Sequence, residues 1–244
     1  MWRMSIKYRG KDAEDKMEKV LAIITARGGS KRIPRKNIKE FCGKPIIQYS
    51  IEAALESKIF DEVMVSTEDA EIREIAEKCG AKIPFMRSEK TASDMAMTHE
   101  VILEVLAEYE KLGQTFDYVC CIYPTAPFIT PDKLRESLNK LKETNADTVL
   151  PVVAFSFPPQ RCFVINDGNA EFKWPENRLV RSQDLERWYH DCGQYYFVRT
   201  DRFLETHNLI MEHTVPVIVD EMEVQDIDNY EDWELAELKY KMRH

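Results

Sequence analysis

Residues 20–37 read VLAIITARGGSKRIPRKN, and the fold turns on how this stretch is parsed. Val20–Thr25 is a short apolar run rich in β-branched residues, the composition of a buried strand. It stops at Ala26-Arg27-Gly28-Gly29-Ser30, a turn signal. The following loop carries Arg27, Lys31, Arg32, Arg35, Lys36 and Lys39 with no acid among them. The whole chain of 244 residues nevertheless has a formal net charge of −9. With those six cations set aside, 28 basic residues face 43 acidic ones. Glycines let a backbone approach an anion closely, and successive N–H groups then cradle its oxygens. The density of cations fits a triphosphate whose pyrophosphate must leave with its charge stabilised. The standard phosphate motifs do not account for it. Gly43-Lys44 is followed by Pro45, which breaks the P-loop pattern, and there is no G-x-G-x-x-G.

Beyond this stretch, strands and helices alternate. Pro45 is placed to open a helix with Ile46, Ile47, Ser50, Ile51, Ala54 and Leu55 on one face. Glu62–Ser66 reads as a strand, and Asp69–Cys79 as a helix closed by Gly80. Lys82–Met86 is a further candidate strand, interrupted by Pro84. Thr98–Leu112 is a helix with Val101, Ile102, Val105, Leu106 and Tyr109 inward. Asp117–Tyr123 is a buried-strand run, Pro131–Leu141 a helix and Thr148–Phe155 a strand. Such alternation implies βαβ units and a mostly parallel sheet covered on both faces, an α/β fold of three layers. Past Phe157-Pro158-Pro159 the pattern becomes irregular and β-rich, with Asn166-Asp167-Gly168-Asn169 as a hairpin turn. Residues 157–199 therefore read as an insert within one domain spanning 20–244. Val215–Val219 returns as a strand. Asn229–Met242 closes the chain as a helix with Tyr230, Trp233, Leu235 and Leu238 on its apolar face.

Composition removes several classes. The acidic balance argues against a nucleic-acid binder, which needs a basic face to displace counterions. No apolar run approaches the ~20 residues of a membrane span. Residues 1–19 are polar, mixed in charge and without an apolar core of the kind a signal peptide has, so they read as an extension and the expected compartment is the cytoplasm. The six cysteines form no C-x-x-C pair, and reduced thiols are the expectation. Cys120 and Cys121 are expected on opposite faces of their strand.

The second chemical constellation is Gln225-Asp226-Ile227-Asp228. In extended backbone the two carboxylates share a face. They could hold Mg²⁺, which prefers oxygen ligands and substrate phosphates, or simply cap the final helix as solvated acids. The basic loop favours the first reading, because a metal would bridge phosphates that the cations also hold.

At this point the residues 21–37, LAIITARGGSKRIPRKN, resemble the signature loop of cytidylyltransferases that activate nine-carbon sugar acids as CMP-sugars. RSEKTASD at 87–94, YPTAPF at 123–128, RSQDLE at 181–186, HDCGQYY at 190–196 and QDIDN at 225–229 extend the resemblance over essentially the whole chain from about residue 20. Tyr123 and the RSQDLE and HDCGQYY segments resemble the pseudaminic acid branch; the sialic acid branch usually has Gln at the position of Tyr123. Thr25 departs from the family, where Pro or Leu is commoner.

The resemblance implies a nucleotide-diphospho-sugar transferase-like fold, CTP and a nine-carbon keto-sugar acid as substrates, Mg²⁺ as cofactor and a homodimer. It implies that Arg27, Gly28, Gly29, Ser30 and Lys36 contact the triphosphate, with Lys36 placed to stabilise charge at the α-phosphate. Asn37, Arg87, Ser93, Asp94 and Thr98 belong to the nucleotide side. Tyr123, Arg181, His190, Gln194 and Tyr195 belong to the sugar side, with Arg181 suited to a carboxylate. By the same resemblance Asp226 and Asp228 would bind the metal, with the general base open between Asp228 and a metal-bound hydroxide. The insert would provide dimerisation and sugar specificity. A non-catalytic nucleotide-binding relative would be expected to have lost Lys36, Asp226 or Asp228, and all three are present.

Overall fold

The computed structural model describes residues 18–93 and 95–243. In chain order its first half comprises β1 (Val20–Thr25), β2 (Glu40–Phe41), β3 (Lys44–Pro45), α1 (Ile46–Ser57), β4 (Glu62–Ser66), α2 (Ala70–Lys78), α3 (Glu89–Ala92), α4 (Thr98–Lys111) and β5 (Tyr118–Ile122). There follow α5 (Pro131–Thr144), β6 (Thr148–Ala154), β7 (Phe163–Asn166), β8 (Asn169–Phe172), β9 (Tyr189–Asp191), β10 (Tyr195–Arg199), α6 (Thr200–Thr206), β11 (Thr214–Ile218) and α7 (Tyr230–Arg243).

The main sheet has the order β11-β6-β10-β5-β1-β4, with β9 also paired to β6. β1 is parallel to β4 and β5, and β11 is parallel to β6. β10 lies antiparallel between β5 and β6, and β9 is antiparallel to β6. Five strands thus share one direction, and the sheet is mainly parallel.

Strand alternation builds the layers. Val20, Ala22 and Ile24 face a core with Ile47 and Ile51 of α1, Ile72 and Ala76 of α2, and Leu134 and Leu138 of α5. Leu21 and Ile23 face the other way, onto Ile102, Val105 and Tyr109 of α4 and Phe203 of α6. Cys120 and Cys121 divide between these two cores, as the alternation requires. A third cluster, Ile33, Phe41, Ile46, Tyr49, Phe128, Ile227, Trp233 and Ala236, pins the basic loop and the acid pair to α7.

Several sequence expectations are corrected. Lys82–Met86 is not a strand; one bridge joins Lys82 to Met64, and the ladder stops short of Pro84, which has no N–H to donate. α7 buries Trp233 and Ala236, whereas Tyr230, Leu235 and Leu238 are exposed. The insert is shorter than 157–199. β9 and β10 belong to the main sheet, and Tyr195, Tyr196, Phe197 and Val198 are core residues. The hairpin turn forms where expected, between β7 and β8, with Asp167 at φ 48° and Gly168 at φ 80°. Residues 1–17 of the expected N-terminal extension lie outside the described residues.

Candidate active site

A cleft of about 700 Å³ opens beyond the carboxyl ends of β1, β4 and β5, where parallel sheets place ligands. The basic loop forms one wall. Ile33, almost wholly buried, anchors its middle, and Asn37 closes it by donating Nδ2 to the Arg27 carbonyl at 2.8 Å. Arg35 is left-handed, with φ 57°, and the backbone then enters a short 3-10 turn at Lys36–Ile38. Lys36 reaches across the cleft and donates Nζ to the Ile227 carbonyl at 2.7 Å. Burial pulls the Lys36 pKa below its ordinary value, against the opposing charges of Asp228 and Asp226.

The acid pair forms the facing wall. Ile227 is buried in the third cluster, so its neighbours Asp226 and Asp228 both turn to the cleft. Burial first, and then the charge of Asp228, raises the Asp226 carboxyl above its usual value. Asp228 accepts Nη2 of Arg32 at 2.7 Å, an exposed pair that a competing anion or cation could part at little cost. Two close, mutually repelling carboxylates beside a cationic loop fit Mg²⁺, which is commonly held by one or two carboxylates and by phosphates. Among the described residues there is no cluster of three or more His, Cys, Asp or Glu side chains suited to a metal.

A further side of the cleft is built on the end of β4 and the start of α4. Arg87 is buried and donates Nε to Ser66 Oγ at 3.0 Å and Nη2 to the Ser66 carbonyl at 2.6 Å. Desolvation lowers its pKa, opposed by the charges of Glu68 and Glu104. Ser93 and Thr98 line the same side. Across from them, Tyr123 OH lies 3.4 Å from Thr98 Oγ1, and the Tyr123 ring packs edge-on against Tyr196 at 5.8 Å. Gln194 lines the cleft, with Nε2 held by the Glu223 carbonyl at 2.6 Å.

Residues 21–237 match the family model described as Cytidylyltransferase. The chain is 41% identical over 227 residues to the pseudaminic acid cytidylyltransferase of Campylobacter jejuni subsp. jejuni, covering 93% of this chain and 98% of that protein. The chain belongs to the cytidylyltransferase family. It is also 32% identical over 226 residues to the CMP-N,N'-diacetyllegionaminic acid synthase of Legionella pneumophila subsp. pneumophila, covering 90% of this chain and 95% of that one. The structure of CMP:2-keto-3-deoxy-manno-octonic acid synthetase complexed with CTP shares the fold, with a TM-score of 0.68 at 20% identity over 93% of this chain and all of that one. The resemblance read from residues 21–37 and the later motifs is borne out: the chain is a CTP-dependent nucleotidyltransferase.

In this cytidylyltransferase Arg27, Ser30, Lys36, Asn37, Arg87, Ser93, Thr98, Tyr123, Gln194, Asp226 and Asp228 all line one cleft. Five expected residues do not. Gly28 and Gly29 lie outside the lining, and the Gly28 N–H is taken by Glu68 Oε1 at 2.7 Å. Tyr195 is turned into the core, with its hydroxyl 2.8 Å from Ser137 Oγ, because a one-residue step from Gln194 changes the face of the strand. Arg181 pairs with Asp184 on the exposed insert, and His190 lies at the surface beside Phe155. Asp94 lies outside the described residues. Arg35, counted with the loop's charge, is turned away and paired with Asp69 and Glu71. The Ile227 and Glu223 carbonyls, which hold Lys36 and Gln194, carry no residue-type signal that a sequence could reveal.

Proposed function

We propose that this chain transfers CMP from CTP to the anomeric hydroxyl of pseudaminic acid, releasing pyrophosphate. The observation that carries the reading is the cleft itself. Lys36 spans from the basic loop to the acid pair, so a triphosphate between them meets cations on one side and carboxylates on the other. Arg27 and Lys36 hold the phosphates and stabilise charge as the sugar hydroxyl attacks the α-phosphorus in line. Asn37 keeps the loop closed, and Arg87, Ser93 and Thr98 border the space for the nucleoside. Asp226 and Asp228 would hold Mg²⁺, which when bound supplies charge neutralisation for the triphosphate. Positioning provides much of the remaining acceleration.

The choice of sugar rests on the relatives and on Tyr123. Identity to the Campylobacter pseudaminic acid enzyme is 41%, against 32% to the Legionella legionaminic acid enzyme. Tyr123 presents an aromatic ring and hydroxyl at the floor of the cleft beside Gln194. A legionaminic or N-acylneuraminic acid is the second reading, supported by the latter identity and by 31% to the Escherichia coli N-acylneuraminate cytidylyltransferase.

The same proposal includes a homodimer in the cytoplasm. Phe157, Phe163, Ile165 and Leu179 expose apolar surface on the insert, which a second copy would cover. Arg181 and His190 lie outside their own cleft and would then be available to the partner's. All six cysteines are free thiols, consistent with a reducing compartment. Among the described residues no helix is long and apolar enough to cross a membrane.

The direct test is to incubate the protein with CTP, pseudaminic acid and Mg²⁺ and identify the product by mass. CMP-pseudaminic acid and pyrophosphate in equal amounts are expected. Neither product from a folded protein would refute the assignment.

A further inference from the structure

Two acids stand directly behind the cationic loop, on the side away from the cleft. Glu68 and Asp69 follow β4, and Asp69 begins α2 by accepting the N–H groups of Glu71 and Ile72, each at 3.0 Å. Neither residue lines the cleft. Glu68 accepts the Gly28 N–H on Oε1 at 2.7 Å, while its Oε2 is buried without a hydrogen-bond partner among the described residues. Glu68 is half-buried, and the Gly28 N–H is the hydrogen bond that ties its carboxylate to the loop. Asp69 takes the other end of the loop. It receives Nη1 and Nη2 of Arg35 at 2.5 and 2.9 Å, and Arg35 is the left-handed residue that turns the chain into Lys36. Asp69 also packs against Gly28: a Cβ placed there would lie 2.5 Å from Asp69 Oδ2, although Gly28 is not in the left-handed region.

We propose that Glu68 and Asp69 are positioning residues, an acidic brace that fixes both ends of the triphosphate loop from behind without touching substrate. This rests on reading the loop as the triphosphate grip. Glu68 sets the backbone beside Arg27, and Asp69 sets the turn that carries Lys36. Gly28 is required because the brace leaves no room for a side chain. Its N–H is spent on the brace, so phosphate contact falls to Arg27, Ser30 and Lys36.

The test measures CTP affinity by calorimetry, with thermal midpoint and steady-state kinetics alongside. Glu68→Ala should weaken CTP binding about tenfold, the scale of one charge-assisted hydrogen bond, with the KM for the sugar acid and the thermal midpoint unchanged. Glu68→Gln keeps the acceptor oxygen and should restore affinity to within about threefold. Gly28→Ala should weaken CTP binding by a similar factor, and that penalty should largely vanish in an Asp69→Ala background, where the colliding carboxylate is gone. Unchanged CTP affinity in Glu68→Ala, or equal Gly28→Ala penalties in both backgrounds, would overturn the brace. Failure of the unaltered protein to bind CTP would overturn the triphosphate reading and this inference with it.

Discussion

At the scale of single residues, Lys36 and Tyr195 make opposite predictions. Lys36 is the cation that bridges the loop and the acid pair, so Lys36→Ala should lower kcat by about a hundredfold or more with the fold retained. Wild-type turnover in that variant would remove Lys36 from the mechanism. Tyr195 was read from the HDCGQYY motif as a sugar contact, but its hydroxyl meets Ser137 in the core. Tyr195→Phe should cost about 1 kcal/mol of stability in urea unfolding and leave the KM for the sugar acid unchanged. A selective rise in that KM would reinstate it at the site. What is legible in the sequence is the gathering of charged side chains such as Lys36, Arg87, Asp226 and Asp228, which all line the cleft. Residue type alone does not say which face a strand residue takes, and one step separates Gln194 in the cleft from Tyr195 in the core.

At the scale of elements, the start of α2 ties helix capping to the shape of the loop. The Arg35 guanidinium holds the Asp69 carboxyl at about 2, well below the usual carboxylate range. A carboxyl depressed in the folded state stabilises it above the unfolded value of about 3.9 and loses that contribution as pH falls towards the folded value. Asp69→Asn should therefore lower stability by roughly 1 kcal/mol at pH 7, discounted because Arg35 is partly exposed, and the gap to the unaltered protein should narrow by pH 3. A gap that widened on acidification would contradict the sign. Most elements were legible because their periodicity is local: β1, β4, β5, α2, α4 and the hairpin turn all fall where patterning puts them. β10 was not, because YYFVR follows an irregular segment and its burial comes from β5 and β6, both distant in sequence. α7 follows its pattern only in part: Trp233 is buried as expected, but the loop cluster recruits Ala236 beside it and leaves Tyr230, Leu235 and Leu238 exposed.

At the scale of the whole molecule, part of the basic island and two acids, Asp226 and Asp228, form two walls of one cleft, and other acids are spread in surface ion pairs such as Arg73–Glu77 and Lys78–Glu74. Two features lie beyond a single chain's cleft: the exposed apolar insert with Arg181 upon it, and His190 on the edge strand β9. Light scattering should give twice the chain mass, and Ile165→Glu should shift the protein towards monomer with loss of turnover. A fully active monomer would separate the insert from catalysis. Treatment with EDTA should abolish turnover and Mg²⁺ should restore it; full activity without a divalent cation would return Asp226 and Asp228 to a capping role.

The central claim is the sugar that receives CMP. It is tested most directly by pyrophosphate release with CTP and, in parallel, pseudaminic, N-acetylneuraminic, legionaminic and 3-deoxy-manno-octulosonic acids. The predicted result is a kcat/KM for pseudaminic acid above each of the others by about tenfold or more, the scale on which a few pocket contacts discriminate. Faster turnover of any other acid, or release with none of them, would contradict it.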